Sequence, residues 1–186
     1  MKRILILSML FALTLNPVFS QVSLGEKVSN FTATDQDGSK WVLKKELKSS
    51  EYMVIYFYPV AFTGGCTKQA CSYRDQKAEF AEVNAQVVGV SGDEPKTLDL
   101  FALENQLNFT LLSDSEGKIA TLFGVPYEGG GTIQREIKGE TFDLTRGATI
   151  QRWTFILDHK GTLIYKDAEV NAAEDSNKVL EFLSSL

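Results

Sequence analysis

Histidine is almost missing from this chain: one in 186 residues, His159, and it falls in an Asp158-His-Lys-Gly161 turn between two apolar runs. With only two cysteines beside it, Cys66 and Cys71, there are too few soft ligands for a zinc site, and four residues between the sulfurs exclude a Cys-x-x-Cys motif. There is no basic excess either. Lys and Arg number 19 against 24 Asp and Glu, a net charge of -5, which gives nucleic acid no electrostatic footprint. No internal repeat or low-complexity tract occurs, and no apolar run reaches the ~20 residues of a membrane span. The longest, Ile4 to Leu15, follows Lys2-Arg3 and precedes Val18-Phe-Ser20, the pattern of a secretory signal cleaved after Ser20. The expectation is a signal peptide over 1–20, a single domain over 21–186, export to a periplasmic or extracellular space, and no stable membrane association after cleavage.

What the chain does have is concentrated between residues 53 and 71. Met53 to Tyr58 is a continuous apolar run rich in β-branched and aromatic residues, which suits a strand covered on both faces. Pro59 ends it. Thr63 is a good helix N-cap, and Gly64-Gly65 lets backbone N–H groups approach an anion, placing Cys66 in the first turn of a helix whose positive end favours a thiolate.

The second sulfur limits the chemistry. In an unbroken helix, residues five apart have Cα atoms roughly 8.6 Å from one another, whereas disulfides want about 7 Å or less. The pair joins only if the first turn unwinds, and so small a loop would stabilise the fold by only ~2 kcal/mol. Such a pair suits a cycle: the Cys66 thiolate attacks a peroxide O–O bond, becomes a sulfenic acid, and is captured by Cys71 as a disulfide. A thiol–disulfide oxidoreductase acting on proteins and a non-catalytic binding domain stapled by a cystine are the alternatives.

Pro59-x-x-x-Thr63-x-x-Cys66 resembles the active-site motif of the peroxiredoxins. The longer Phe57-Tyr-Pro-x-x-x-Thr-x-Gly-Cys-Thr-Lys-Gln-Ala-Cys71 resembles their bacterioferritin-comigratory, or Q-type, branch. Further matching stretches run through Val87–Asp93, Phe109–Asp114, Phe123–Pro126 and Arg152–Asp158. The resemblance implies a thioredoxin-like fold and a thiol peroxidase acting on hydrogen peroxide and organic hydroperoxides without a cofactor. It also implies that Cys66 is the peroxidatic and Cys71 the resolving cysteine, that Thr63 and Arg152 hydrogen-bond the thiolate and peroxide, and that Pro59 shields the sulfur. A thioredoxin-like protein as reductant and a monomeric state follow from the same likeness. Taken without it, Arg152 reads as a solvated charge at a strand edge.

Two departures stand out. Gly64 occupies a position where this branch commonly has proline, which loosens the loop before Cys66. The segment Tyr127 to Gln151, with Gly129-Gly-Gly131, is longer than the usual connection; it reads as an exposed surface loop, with a flexible lid near Arg152 as the alternative.

The remaining pattern is α/β: a central mixed β-sheet flanked by helices on both faces, with an N-terminal β-hairpin. Phe31–Thr34 and Lys40–Leu43 flank the Asp35-Gln-Asp-Gly38 turn as that hairpin. A helix over Cys66–Asn84, with Ala70, Tyr73, Phe80 and Ala81 inward, links the central strand to a parallel partner at Gln86–Ser91. Helices from Asp93 to Asn105, over Lys118–Phe123 and over Ala172–Leu186 follow, with strands at Phe109–Leu112, Trp153–Leu157 and Thr162–Tyr165. Two N-x-T sequons, at Asn30 and Asn108, are read as chance occurrences.

Overall fold

The computed structural model describes residues 21–186, so the expected signal segment and its cleavage after Ser20 lie outside the described residues. The apolar run is strand β3 (Tyr52–Phe57), and its side chains alternate between two cores. Met53, Ile55 and Phe57 join one cluster with Leu43, Phe123 and Phe155. Val54 and Tyr56 join another with Tyr73, Leu98, Phe101 and Val179. A strand whose successive residues point to opposite faces reads as continuously apolar only when both faces are covered, which is why this run carries no polar residue.

Around β3, the strands β1 (Thr32–Asp35), β2 (Lys40–Val42), β4 (Ala85–Ser91) and β5 (Thr110–Ser113) lie on one side, and β8 (Thr154–Asp158) and β9 (Leu163–Asp167) on the other. The order is β2-β1-β5-β4-β3-β8-β9, with β3, β4 and β5 parallel and the remaining neighbours antiparallel. A short α1 (Leu43–Glu46) and α5 (Lys118–Phe123) supply Leu43, Ile119 and Phe123 to the first core. Four helices, α2 (Gly64–Asp75), α3 (Lys77–Glu82), α4 (Pro95–Glu104) and α6 (Asp175–Ser184), supply the second. Each apolar stripe finds the sheet, so helices cover both faces as the pattern predicted. Among the described residues no helix is long and apolar enough to cross a membrane.

Two expectations need correction. The helix predicted over 66–84 is two helices: Gln76, at φ -98° and ψ 20°, leaves helical geometry and turns the chain between α2 and α3. After that turn Phe80 is buried but Ala81 is exposed. The second correction concerns the expected loop after Pro126. It is a regular hairpin of two 11-residue strands, β6 (Tyr127–Ile137) and β7 (Glu140–Ile150), paired from Tyr127↔Ile150 to Ile137↔Glu140. Its two-residue turn, Lys138-Gly139, has positive φ at both positions (54° and 84°), the conformation that matches the strand twist. Of the three glycines read as a sign of loop, Gly130 is a place where backbones meet: a Cβ there would lie 2.0 Å from the carbonyl oxygen of Arg146.

The hairpin is fastened to the body. The Gly147 amide donates to Gly92 O at 2.8 Å and the Glu94 amide to Thr145 O at 3.0 Å, while Ile137 and Leu144 are buried in the second core beside Phe62 and Phe101. Gly92 is required there, since a Cβ would sit 2.0 Å from the Ala148 carbonyl oxygen.

Candidate active site

Pairing of β3 with β8 builds the site. The register Tyr56↔Thr154, extended by Phe57 N–H donating to Trp153 O at 2.8 Å, brings Arg152 beside the end of β3, where Pro59 leads the chain into α2. Two segments 86 residues apart in sequence thereby meet at one sulfur. The Arg152 Nη2 donates to Cys66 Sγ at 3.2 Å. Cys66 is buried, in the first turn of the twelve-residue α2, so the unpaired N–H groups at that helix start and the guanidinium both present positive charge to it. Arg152 lies where the resemblance places it and not as the solvated strand-edge charge that is the alternative: it is half-buried, and its Nη1 donates to Gln69 Oε1.

Cys71 lies in the same unbroken helix, half-buried, and both sulfurs are free thiols. The five-residue helical spacing therefore holds them about 8.6 Å apart, Cα to Cα, beyond bonding reach.

Thr63 stands at the N-cap position of α2 with extended backbone (φ -84°, ψ 151°), but its hydroxyl makes no capping bond. It donates instead to Val60 O at 3.0 Å, so the expected hydrogen bond to the sulfur is not formed in this state. Its proton is thereby committed, leaving the oxygen free to accept. Pro59 is half-buried and borders a cavity of about 260 Å³ together with Ile150 and Gln151, next to Arg152. Between Pro59 and Thr63, the Ala61 amide donates to the buried Asp93 Oδ2 at 2.9 Å. Phe62 adopts φ 64°, an unusual conformation for a bulky residue, held by edge-on packing against Phe101 at 5.1 Å and by Arg135 of β6 at 5.5 Å over its ring. The hairpin thus braces the loop that aims Cys66.

Beneath the sulfur lies a floor of stacked phenols. Tyr56 and Tyr73 stack at 4.8 Å and Tyr56 and Tyr58 at 5.5 Å. Burial pushes all three hydroxyls well above their ordinary pKa, so they stay neutral and bring no competing negative charge to the site.

Sequence reasoning missed the polar residues behind Arg152. Gln69 Nε2 donates to Asp175 Oδ2 at 2.6 Å, and the same oxygen accepts from Tyr73 Oη at 2.7 Å and Thr154 Oγ1 at 2.8 Å. Gln69 was reachable in principle, since it lies three residues after Cys66 on the same helix face. Asp175 offered no local signal. His159 sits exposed in its turn, 2.8 Å from Glu51 and remote from the sulfur.

Comparison with known proteins shows the family and the fold. The AhpC/TSA family pattern matches residues 24–166. A chloroplastic peroxiredoxin Q from Populus jackii is 38% identical over 173 residues, covering 92% of this chain and 72% of that protein. Among solved structures, the peroxidoxin BcpB of Mycobacterium tuberculosis superposes with a TM-score of 0.73 at 33% identity, covering 89% of this chain and 99% of the other. The bacterioferritin comigratory protein of Xanthomonas campestris, described for its alkyl peroxide reduction activity, gives 0.67 at 25% identity, with 83% and 90% covered. The seven-stranded mixed sheet flanked by helices is the thioredoxin-like fold of such proteins.

Proposed function

As a member of the AhpC/TSA family this chain is a thiol peroxidase, and we propose that it reduces hydrogen peroxide and organic hydroperoxides by a two-cysteine cycle within α2. The observation that carries the reading is the Arg152 guanidinium 3.2 Å from the buried Cys66 sulfur at a helix start, with a free Cys71 five residues on.

The Cys66 thiolate attacks one oxygen of the peroxide. An S–O bond forms as the O–O bond breaks, sulfur loses two electrons, and the other oxygen leaves as water or an alcohol after taking up a proton. Arg152 faces the charge that develops on the breaking O–O bond, and the Thr63 oxygen accepts the peroxide O–H, orienting it for in-line attack. Pro59 limits water at the sulfur. The sulfenic acid then condenses with the Cys71 thiol: an S–S bond forms and water leaves. A dithiol donor, of which an exported thioredoxin-like protein is the proposed example, returns two electrons and two protons and is itself oxidised to a disulfide.

Capture by Cys71 requires the first turn of α2 to melt. Gly64 and Gly65 support this, being exposed residues with high backbone freedom at the helix start. The basic, apolar and small-residue pattern of residues 1–20 supports action outside the cytoplasm after removal of that segment.

The test is peroxide consumption by the chain with a dithiol donor, wild type beside Cys66→Ser. Loss of turnover in the variant is expected. Equal consumption by both proteins would remove Cys66 from the reaction.

A further inference from the structure

Arg152 does not hold its own position. Its guanidinium offers only donors, so Gln69 must turn its amide oxygen toward it and its NH2 away. That NH2 meets Asp175 Oδ2 at 2.6 Å. The same oxygen takes Tyr73, one turn further along α2, and Thr154, two residues beyond Arg152 on β8. A single carboxylate oxygen at the first position of α6 therefore joins α2, β8 and α6. Asp175 is 1% exposed, and burial raises its carboxyl above the ordinary range against the opposing hydrogen bonds of Tyr73, Gln69 and Thr154. Its other oxygen is buried without a partner among the described residues, so the group is only half satisfied. Packing alone does not explain a residue that costly. The segment leading into α6 also abuts the start of α2: a Cβ on Gly65 would lie 3.5 Å from Arg152 Nη2 and 4.0 Å from Ala172 Cβ.

We propose that Asp175 is a positioning residue for the peroxide reaction: it clamps Gln69, and through it Arg152, against Cys66, and it must release Gln69 before Cys71 can reach the oxidised sulfur. This rests on the two-cysteine reading above. Gln69 lies between the two cysteines, so a turn that unwinds far enough to join them pulls Gln69 off Asp175, while Tyr73, beyond Cys71, keeps the rest of α2 anchored. One carboxylate thereby favours the folded site during attack and sets where melting stops during resolution.

The experiment is rapid mixing of the reduced chain with hydrogen peroxide, followed by the fluorescence of Trp153 beside the site. Such a trace separates a peroxide-dependent oxidation phase from a peroxide-independent disulfide phase. Asp175→Ala should slow the first about tenfold and speed the second severalfold, the size expected when one buried hydrogen-bonded link is lost. Asp175→Asn keeps an accepting oxygen for the three donors and should stay within about twofold of wild type in the first phase. Gln69→Met removes the link between Asp175 and Arg152 and should change both phases in the same directions as Asp175→Ala; this variant serves if Asp175→Ala does not fold. The proposal is overturned if Asp175→Ala leaves oxidation at the wild-type rate or slows both phases alike. It is also overturned if Asp175→Asn falls as far as Asp175→Ala, or if Gln69→Met leaves the disulfide phase unchanged. A wild-type chain with no Cys66-dependent phase would instead refute the peroxidase reading, which keeps the two failures distinct.

Discussion

A guanidinium in contact with a buried sulfur makes the strongest demand of any single residue in the site. Arg152→Ala should slow the peroxide-dependent step by about 10²- to 10³-fold, the usual loss when one preorganised donor to a developing charge is removed. Second-order rates from rapid mixing check this, and an unchanged rate would return Arg152 to a structural role. Cys71 should behave differently. Cys71→Ser is expected to consume a single equivalent of peroxide per chain and then accumulate sulfinic acid at Cys66, visible as a mass increase of the intact protein. Sustained turnover with a dithiol donor would show that another thiol resolves the sulfenic acid. Thr63 is the residue whose geometry departs most from expectation, because its hydroxyl serves Val60 in the resting state. An acceptor role toward peroxide remains open to it, and a donor role toward the sulfur would need that bond to break.

At the scale of elements, the proposed two-cysteine cycle gives α2 two conflicting duties, to hold Cys66 at its positive end and to come apart. Its glycine start is where the conflict is resolved. Gly64 has open space around its Cα, with nothing within 4 Å of a built Cβ, so alanine fits. Gly64→Ala should stabilise the wound helix by about 0.4–1 kcal/mol by restricting the unwound chain. Disulfide formation should therefore slow about two- to fivefold while the peroxide step is unaffected. A faster disulfide phase in the variant would contradict the melting step. Oxidation of wild type should likewise reduce the helical signal in far-UV circular dichroism, and superimposable spectra of the two redox forms would count against unwinding. The hairpin of β6 and β7 supplies a fixed brace: Arg135 over Phe62 and the buried Ile137 and Leu144 hold the loop ahead of the helix.

For the whole molecule, buried acid groups make stability depend on pH. Asp93, Asp114 and Asp175 all lie above the ordinary carboxyl value of 3.8, chiefly through burial. Between 3.8 and the native values the folded chain holds more protons than the unfolded chain. Their contribution to stability is therefore fully present below the unfolded value and is lost as pH rises through the native ones. Asp114 is a clean place to test this, because it receives the Ile119 and Ala120 amides at the start of α5, away from Cys66. Asp114→Asn should give a denaturation midpoint that falls less steeply than wild type as pH rises above the ordinary carboxyl value of 3.8. Equal slopes would mean that Asp114 carries the same proton in both states.

The residues from Met53 to Cys71 announced the strand, the helix start and the placement of both cysteines on one helix, because each is fixed by neighbours a few positions away. The alternation of β3 between two cores and the parallel partner at β4 were legible for the same reason: a strand buried on both faces leaves no room for polar side chains. The break at Gln76 and the pairing of β6 with β7 were not, since glycines and polar residues suit a loop and a backbone-paired strand equally well until a partner is present. Composition and periodicity left Arg152 a solvated charge, and its place at Cys66 came from the motif resemblance; the tertiary structure shows that contact and alone put Asp175 behind Gln69. Those contacts span 86 and 106 positions, and they exist because a sheet register and the docking of a last helix bring those groups together, which no local periodicity encodes.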